Sequence, residues 1–221
     1  KALLPQKIVD SIEAVGSITA EASKETGLSE GTKVFGGCSD NANGQIGTGC
    51  IRSGDIHIYI GSSSWFEVTT TKHEKNKGNY PSAIRDMRYH FRCTDTACSG
   101  IDAITRLLYP AELRENPDGI HDFLNQELLS AEEDSQNVVF LPFLFGEQDP
   151  VQDTEVRGSL LNVTPSTQRK HIMHAFIEGI AFNLRWMKEQ HIDLTGDWTE
   201  KAIRTYGGGA QSDVILQIIA D

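Results

Sequence analysis

The apolar side chains of residues 167–190 recur at the spacing of an amphipathic helix. One stripe consists of Ile172, Phe176, Ile180, Leu184 and Met187. Positions three and four apart lie on the same side of a helix, so this stripe predicts a buried face. Ser166 is a good N-cap for this helix. Gly179 lowers helix stability by about 1 kcal/mol relative to alanine, which predicts that it permits a close backbone contact.

A different pattern, the alternation of polar and apolar side chains, marks residues 55–60 as a strand. A turn over 61–64 and a returning apolar segment over 65–70 complete a predicted hairpin. Further strands are predicted at 33–35, 138–141 and 201–206, and a short strand or a turn at 14–18. Helices are predicted at 19–26, 42–49, 99–109 (ended with the help of Pro110), in parts of 111–136 and at 212–221, with loops at 71–80 and 142–158. This mixture predicts an α/β architecture.

Charge and hydropathy limit the partners of the chain. Its 221 residues include 20 basic and 31 acidic ones, a formal net charge of −11. An acidic surface repels phosphate backbones and anionic lipid, so we expect neither a nucleic acid nor a membrane as partner. No segment approaches the roughly 18 apolar residues that span a bilayer. The composition is typical of a soluble globular protein.

The four cysteines form no C-x-x-C motif. Cys93 and Cys98 lie five residues apart, which leaves a metal pair or a disulfide as an alternative. Reduced and partly buried thiols are the favoured interpretation.

The first candidate site follows the strand at 33–35. Two glycines lead to Asp40 at a predicted helix start, and open α/β sheets bind ligands in such loops. The alternative is that Asp40 only caps the helix. We expect Glu147 and Arg157, in a later loop, to form an internal salt bridge or a loop anchor without a chemical role.

Two glycine-containing turns are candidates for binding an anion. The turn Gly61–Ser64 offers backbone N–H groups and hydroxyls to a phosphate, although an ordinary hairpin turn has the same composition. The segment Gly207–Ala210 lies between a strand and a helix, where a ligand can touch the backbone and the helix N-terminus supplies partial positive charge. A tight strand-to-helix turn is the alternative, and no Gly-Lys-Ser/Thr of a P-loop follows.

Several motifs are informative through their order along nearly the whole chain. They are Gly36-Gly-Cys-Ser-Asp-Asn-Ala-Asn-Gly44 with Gly47-x-Gly49, Ile60-Gly-Ser-Ser-Ser64, Leu141-Pro-Phe-Leu-Phe-Gly-Glu147 with Arg157-Gly158, Ala175-x-x-Glu178-Gly179, Gly207-Gly-Gly-Ala-x-Ser212 and Gln217-Ile-Ile-Ala-Asp221. In this order they resemble the FGGY family of carbohydrate kinases. The Asp-Asn-Ala run resembles the pentulose-kinase branch, which includes the xylulose kinases.

The resemblance implies an actin-like ATPase fold with ribonuclease-H-like cores, in which two domains close on ATP and a sugar. Residues 1–50 would end the first domain and 51–221 would form most of the nucleotide-binding second domain. Lys1 in place of methionine, and the helical run that stops at Asp221 without a stop signal, lead us to expect a chain cut at both ends. Half of the cleft would then be missing, so we expect this chain alone to be inactive.

The resemblance also implies roles for individual residues. Asp40 would be the catalytic base, would hold Mg²⁺ through water and, with Asn41, would contact the sugar, which is xylulose or a related ketose or polyol. The turn with Gly61, Ser62 and Ser63 would face the phosphates of ATP. The adenosine part would lie near Gly208, Gly209, Ala210, Asp213 and Asp102. The expected location is cytoplasmic. Both a monomer and a homodimer are compatible with the sequence.

Three departures from the family pattern leave alternatives open. The phosphate turn lacks the usual threonine and second glycine, the loop after Gly146 lacks the usual Arg-Thr, and the helix near residue 100 lacks a large aromatic side chain. A non-catalytic homologue that senses sugar or nucleotide is therefore the second hypothesis. Actins and chaperone ATPases share the fold, but the Asp-Asn-Ala segment argues against them. The kinase hypothesis requires Asp40 and the turns near 61 and 208 to converge on one crevice.

Overall fold

The structure is a computed structural model that describes residues 7–73, 78–131, 135–190 and 202–221. Its strands are β1 (Ala14–Ser17), β2 (Lys33–Phe35), β3 (Ile56–Ile60), β4 (Ser64–Thr70), β5 (Asn79–Pro81), β6 (Arg88–Thr94), β7 (Val139–Leu141), β8 (Ser159–Leu161) and β9 (Arg204–Tyr206). Its helices are α1 (Ala20–Thr26), α2 (Asp40–Gly47), α3 (Cys98–Leu108), α4 (Pro110–Glu115), α5 (Ile120–Leu129), α6 (Arg169–Glu189) and α7 (Asp213–Ala220), with a 3-10 turn at Gly208–Gln211.

A five-stranded mixed sheet with the order β5-β6-β4-β3-β9 forms the centre. The predicted hairpin is confirmed: β3 and β4 pair antiparallel, with Tyr59 opposite Trp65. Strand β9 runs parallel to β3, so the chain leaves both strands at the same edge of the sheet. The turns that follow these two strands are therefore neighbours.

One face of the sheet carries the hydrophobic core. Ile58, Phe66 and Val68 point toward α6, where Phe176 and Met187 are fully buried. The predicted apolar stripe is confirmed as core, with Ile172 only partly buried at its edge. Fully burying one such side chain stabilises the fold by about 1.5–3 kcal/mol.

The start of α6 and the role of its glycine can be compared with the prediction. The N-cap is Gln168, whose backbone N–H donates to Nδ1 of His171 at 3.1 Å. Ser166 is not the cap, because its hydroxyl hydrogen-bonds the Thr164 hydroxyl at 2.8 Å in the preceding turn. The close contact at Gly179 is confirmed: a methyl group there would overlap the carbonyl oxygen of Phe140.

The opposite face of the sheet is covered by α2. Gly44 lies against the ring and hydroxyl of Tyr206, so that a side chain at 44 would overlap them. Buried Gln45 donates to the Thr69 hydroxyl at 2.9 Å. The prediction placed this helix at 42–49; it begins two residues earlier and ends at Gly47.

The helix predicted at 99–109 is present as α3, which ends before Pro110 as expected. Pro110 also starts α4 at its first position, where a missing N–H costs nothing. Other predictions were incomplete. Strands β5, β6 and β8 were not predicted, and the 71–80 segment predicted as a loop contains the first two residues of β5. The last predicted strand begins at Lys201, outside the described residues, and β9 occupies only its end. None of the four cysteines forms a disulfide in the structure; Cys50 is buried and Cys38, Cys93 and Cys98 are partly buried, while the reduced state stays a prediction.

Among the described residues, no helix is long and apolar enough to cross a membrane.

Candidate active site

Asp40 occupies the first position of α2. The N-cap is Ser39, whose Oγ accepts from the N–H of Ala42 at 3.3 Å. Capping therefore does not explain the carboxylate of Asp40, which is exposed and, among the residues that the structure describes, accepts only the neighbouring N–H of Asn41 at 2.9 Å. A negative charge in the first helical turn is stabilised by the partial positive charge of the helix N-terminus.

A cavity of about 880 Å³ lies beside this carboxylate, between α2 and β9. Its lining residues are Asp40, Asn43, Gly44, Gly47, Thr48, Arg204, Thr205 and Tyr206. Asn41, predicted with Asp40 to contact a sugar, is not among them. Arg204 of β9 adds a positive charge to the lining of this cavity, and the sequence did not indicate it as a site residue. Its guanidinium lies 3.6 Å from the thiol of Cys50, a residue that follows the C-terminal end of α2.

Aromatic rings of the sheet separate this cavity from the first glycine turn. Tyr59 stacks on Trp65 with the ring centroids 3.9 Å apart and lies 5.1 Å from Tyr206. The Tyr59 hydroxyl packs directly against Gly61, so a side chain at residue 61 would overlap this hydroxyl. A glycine at 61 is thus required by this close approach.

The turn after β3 leaves donors available to an anion. The Gly61 N–H donates to the Ser63 carbonyl at 2.9 Å. The Ser62 carbonyl accepts from the N–H groups of Ala97 and Ser99 at 3.3 and 3.2 Å, which fixes the turn against the start of α3. In the part of the chain that the structure describes, the N–H groups of Ser62 and Ser63 have no acceptor. Free N–H groups of this kind form anion-binding nests.

The second glycine turn, at residues 207–210, packs against the first. Gly207 has φ 102° and approaches the carbonyl of Ile60, which only glycine allows. Gly209 is buried between Ile60 and Cys98, with the Cys98 sulfur 2.9 Å from where a Cβ would lie. Gly208 differs, because a Cβ built there meets no atom within 4 Å. This backbone faces open space that a ligand can fill.

That open space belongs to a second cavity, of about 440 Å³. It is lined by Cys98, Ile101, Asp102, His121, Asp122, Leu124, Asn125, Leu128, Met173, Ile177, Gly208, Gly209, Gln211, Ser212 and Ile215. The floor is apolar and the polar side chains converge on it, which is the usual construction of a small-molecule pocket, and the volume lies in the range of about 300–1,000 Å³.

The second cavity includes residues that the sequence did not indicate. His121, Asp122 and Asn125 come from α5, which lies beside the 3-10 turn and α7. Oδ1 of Asn125 accepts from the Ser212 hydroxyl at 2.7 Å, and the same hydroxyl caps α7 by accepting from Ile215 N–H at 3.2 Å. This bond ties α5 to the helix that follows the glycines.

Apart from Asn41 and the turn with Gly61, Ser62 and Ser63, which line neither cavity, the predicted site residues fall into two groups. Asp102, Gly208 and Gly209 line the second cavity; Ala210 and Asp213 lie beside it in the 3-10 turn and the first turn of α7. Asp40 lines the first cavity. Among the described residues the two cavities are separate, and β9 connects them, since Tyr206 lines one and Gly208 the other. A common crevice for Asp40 and both turns stays a prediction.

The loop residue Glu147 is almost fully buried. Its carboxylate accepts from Thr94 at 2.8 Å, from Asn183 at 2.7 Å and from the N–H of Gln148 at 2.8 Å. Burial raises the pKa of this carboxyl group, and the hydrogen bonds oppose the rise. Glu147 was expected to form either an internal salt bridge or a loop anchor, and these hydrogen bonds make it a loop anchor. Arg157 is exposed and donates to the carbonyls of Thr154 and Val156.

Metal ligands are sparse in the described residues, where no group of three or more His, Cys, Asp or Glu side chains could hold a metal ion. An exposed single carboxylate such as Asp40 fits Mg²⁺, which keeps several waters and binds through one or two carboxylates plus substrate phosphates.

Comparison with protein families gives one match over three quarters of the chain. Residues 57–221 match the C-terminal domain of the FGGY family of carbohydrate kinases. Among curated proteins, the xylulose kinase of Bacillus subtilis (strain 168) is 31% identical over 224 residues, covering 97% of this chain and 42% of that protein. The gluconokinase of the same strain is 26% identical, covering 97% and 43%. The chain therefore spans about two-fifths of the length of these relatives.

Solved structures show the same fold. Gluconate kinase from Lactobacillus acidophilus superimposes with a TM-score of 0.80 at 26% identity, over 97% of this chain and 42% of that one. A ligand-bound xylulose kinase from the same organism gives a TM-score of 0.78 at 24% identity with the same coverage. The predicted α/β, actin-like fold is confirmed.

Proposed function

The chain belongs to the FGGY family of carbohydrate kinases, and we propose that the complete protein transfers a phosphoryl group from ATP to a hydroxyl group of a sugar. The observation that carries this proposal is the exposed Asp40 in a cavity whose wall, β9, leads directly into the Gly207–Ala210 turn. In this assignment residues 1–50 end the first domain and residues 51–221 belong to the nucleotide-binding second domain.

Asp40 is the catalytic base of the proposed reaction. The transferred phosphoryl group passes through a loose transition state, so the attacking hydroxyl can lose its proton late. An ionised carboxylate can then orient the hydroxyl and accept its proton, which is worth about 10²–10⁴-fold in rate. Its position at the N-terminus of α2 and its lack of a cationic partner among the described residues leave it free to do so.

The nucleotide occupies the two glycine turns and the cavity beside them. The free N–H groups of Ser62 and Ser63 face the phosphates, and the backbone at Gly208 lies against the adenosine part. The base enters the apolar part of the cavity between α3 and α5, with Asp102 at its polar edge. Mg²⁺ would be held through water by Asp40 and by the phosphates, and would neutralise their charge.

The substrate class is a ketopentose or a related polyol. The curated relatives include proteins named xylulose kinase, and one named gluconokinase. Asn41 is proposed as a second sugar contact, since it follows Asp40 directly, although it does not line the described cavity.

A sensor without catalysis is the second candidate function. The observation in its favour is the serine-rich turn Gly61–Ser64, in which Ser64 is buried and donates its hydroxyl to the Tyr59 carbonyl. The side chain thus fills the turn where the family has a second glycine. Such a protein would bind nucleotide or sugar without releasing ADP.

Replacing Asp40 tests the proposed role directly. In the complete protein, Asp40→Asn should lower sugar-dependent ADP release by at least about 100-fold, since it removes the proton acceptor, while the dissociation constant for ADP, measured by calorimetry, changes little. The matched control is Asp10→Asn, an exposed carboxylate outside both cavities, which should retain turnover. Unchanged turnover in Asp40→Asn would refute the role of Asp40.

A further inference from the structure

The turn that follows β3 is attached to the start of α3 through its carbonyl groups. The carbonyl of Gly61 accepts from the N–H of Cys98 at 2.8 Å. The carbonyl of Ser62 accepts from the N–H groups of Ala97 and Ser99 at 3.3 and 3.2 Å, and also from the Ser99 hydroxyl at 2.6 Å. Two neighbouring carbonyls of the turn are therefore fixed from the side on which α3 begins.

These bonds set the direction of the two free donors of the turn. In a trans peptide group the C=O and the N–H point in opposite directions, and the peptide bonds of this turn are trans. The N–H of Ser62 shares a peptide group with the Gly61 carbonyl, and the N–H of Ser63 shares one with the Ser62 carbonyl. Because both carbonyls point toward α3, both N–H groups point away from it.

Helix α3 has no side-chain cap of its own. Its N-cap is Ala97, which makes no side-chain cap bond. The first N–H groups of a helix have no acceptor inside the helix, and here the carbonyls of the turn accept those of Cys98 and Ser99. Of the four bonds between the turn and α3 described above, only that of the Ser99 hydroxyl comes from a side chain, so a substitution can remove it without changing the backbone donors.

The same helix forms part of the second cavity, but Ser99 does not. Cys98, Ile101 and Asp102 line this cavity, whereas Ser99 is partly buried and is not among its lining residues. A change in the Ser99 side chain therefore acts on the turn and leaves the lining of the cavity as it is.

We propose that Ser99 is a positioning residue of the nucleotide site, whose hydroxyl holds the Ser62 carbonyl so that the N–H groups of Ser62 and Ser63 face the phosphates of ATP. This inference rests on the proposed function of the turn. Donors that are held in place before the ligand arrives bind it more tightly, because less ordering is required on binding. The contribution of Ser99 should therefore depend on the phosphates and not on the adenosine part.

The experiment replaces the hydroxyl in the complete protein by Ser99→Ala. Without nucleotide, amide hydrogen exchange at Gly61 and Cys98, whose N–H groups are bonded within this contact, should become about three- to tenfold faster, the effect of losing one hydrogen bond. ADP should bind about three- to tenfold more weakly in calorimetry. The affinity for adenosine, measured by competition with ADP, should not change, whereas a general disturbance of the site would weaken both ligands.

The matched control is Ser130→Ala. The Ser130 hydroxyl also donates to a backbone carbonyl, that of Glu127 at 2.7 Å, and Ser130 lines neither cavity, so this change should alter neither ADP affinity nor exchange at the turn. Unchanged exchange in Ser99→Ala, or changes in ADP and adenosine affinity that are equal, would overturn the proposal. If the unmodified complete protein binds neither ligand, the proposed function fails, whereas hydrogen exchange still decides whether Ser99 fixes the turn.

Discussion

At the scale of single residues, the glycines of the 207–210 turn differ in what surrounds them, and the fold itself needs only some of them. Gly207 lies against Ile60 and Tyr59, and Gly209 lies against Ile60 and Cys98, so replacing either would disturb the fold itself. Gly208 has no protein atom within 4 Å of a Cβ position and has an unstrained φ, yet it lines the second cavity. A methyl group at this residue would therefore meet no protein atom, and in the proposed complex it would meet the nucleotide.

Gly208→Ala consequently tests nucleotide contact without destabilising the chain. We expect the complete protein to keep its melting temperature and to lose about tenfold or more in ADP affinity by calorimetry, about 1.4 kcal/mol of binding free energy. The matched control is Gly16→Ala in β1, which also has open space around it and lies away from both cavities. Unaltered ADP affinity in Gly208→Ala would place the nucleotide elsewhere.

The residues of the candidate site can be predicted only where the residue types next to each other in the sequence already indicate ligand binding. Asp40 and the two glycine turns stand out because small and polar residues directly after a strand are typical of ligand-binding loops in α/β proteins. Asn125 and His121 do not, because nothing in the α5 sequence shows that tertiary packing brings it beside the glycines. Ser99 does not either, because its contact with Ser62 follows only from the packing of α3 against the turn.

At the scale of elements, periodicity gives most of the secondary structure and packing decides the rest. The α6 stripe and the β3–β4 hairpin are predictable because each has one dominant face. Strand β6 was missed although Tyr89, Phe91 and Cys93 alternate with charged or polar side chains, a period-2 signal that is present in the sequence. Strands β5 and β8 have only three residues each, too few to establish any period.

The contact between α6 and β7 gives a test at this scale. Glycine-to-alanine changes inside a helix normally stabilise by about 1 kcal/mol. At Gly179 the new methyl group would overlap the Phe140 carbonyl and approach Pro142 to 3.2 Å, so Gly179→Ala should lower the free energy of unfolding by about 1–3 kcal/mol, as overpacking does.

The comparison uses urea denaturation, with Gly47→Ala as the matched control. Gly47 also lies in a helix, and a Cβ there meets no atom within 4 Å, so that change should be neutral or stabilising. Equal stability of the Gly179→Ala protein and the unmodified protein would show that the helix can move away from the strand.

At the scale of the whole molecule, two cavities flank one strand and carry different parts of the proposed reaction. The carboxylate of Asp40 lies on the α2 side of the sheet, and the second cavity, the proposed nucleotide site, is formed with α3, α5 and α7. The α/β architecture and the family are predictable from motif order, since that order reflects the topology. The separation of the cavities is not, because it depends on how aromatic side chains of β3, β4 and β9 fill the space between them.

The same arrangement bears on what we expect of the 221-residue chain by itself. The chain spans 42% of its xylulose kinase relative, and two glycine turns and one carboxylate do not enclose a sugar. The expectation that the chain alone is inactive therefore stays a prediction. It can be tested by comparing ADP release by this chain with ADP release by the complete protein.

The most direct test of the central claim is ADP release by the complete protein with ATP and Mg²⁺, measured for ketopentoses, polyols and an aldonate, with ADP binding measured by calorimetry on the same sample. The account predicts ADP release that depends on a sugar, and none from this chain alone. Nucleotide binding without sugar-dependent ADP release for any of these compounds would contradict the kinase assignment and favour the sensor.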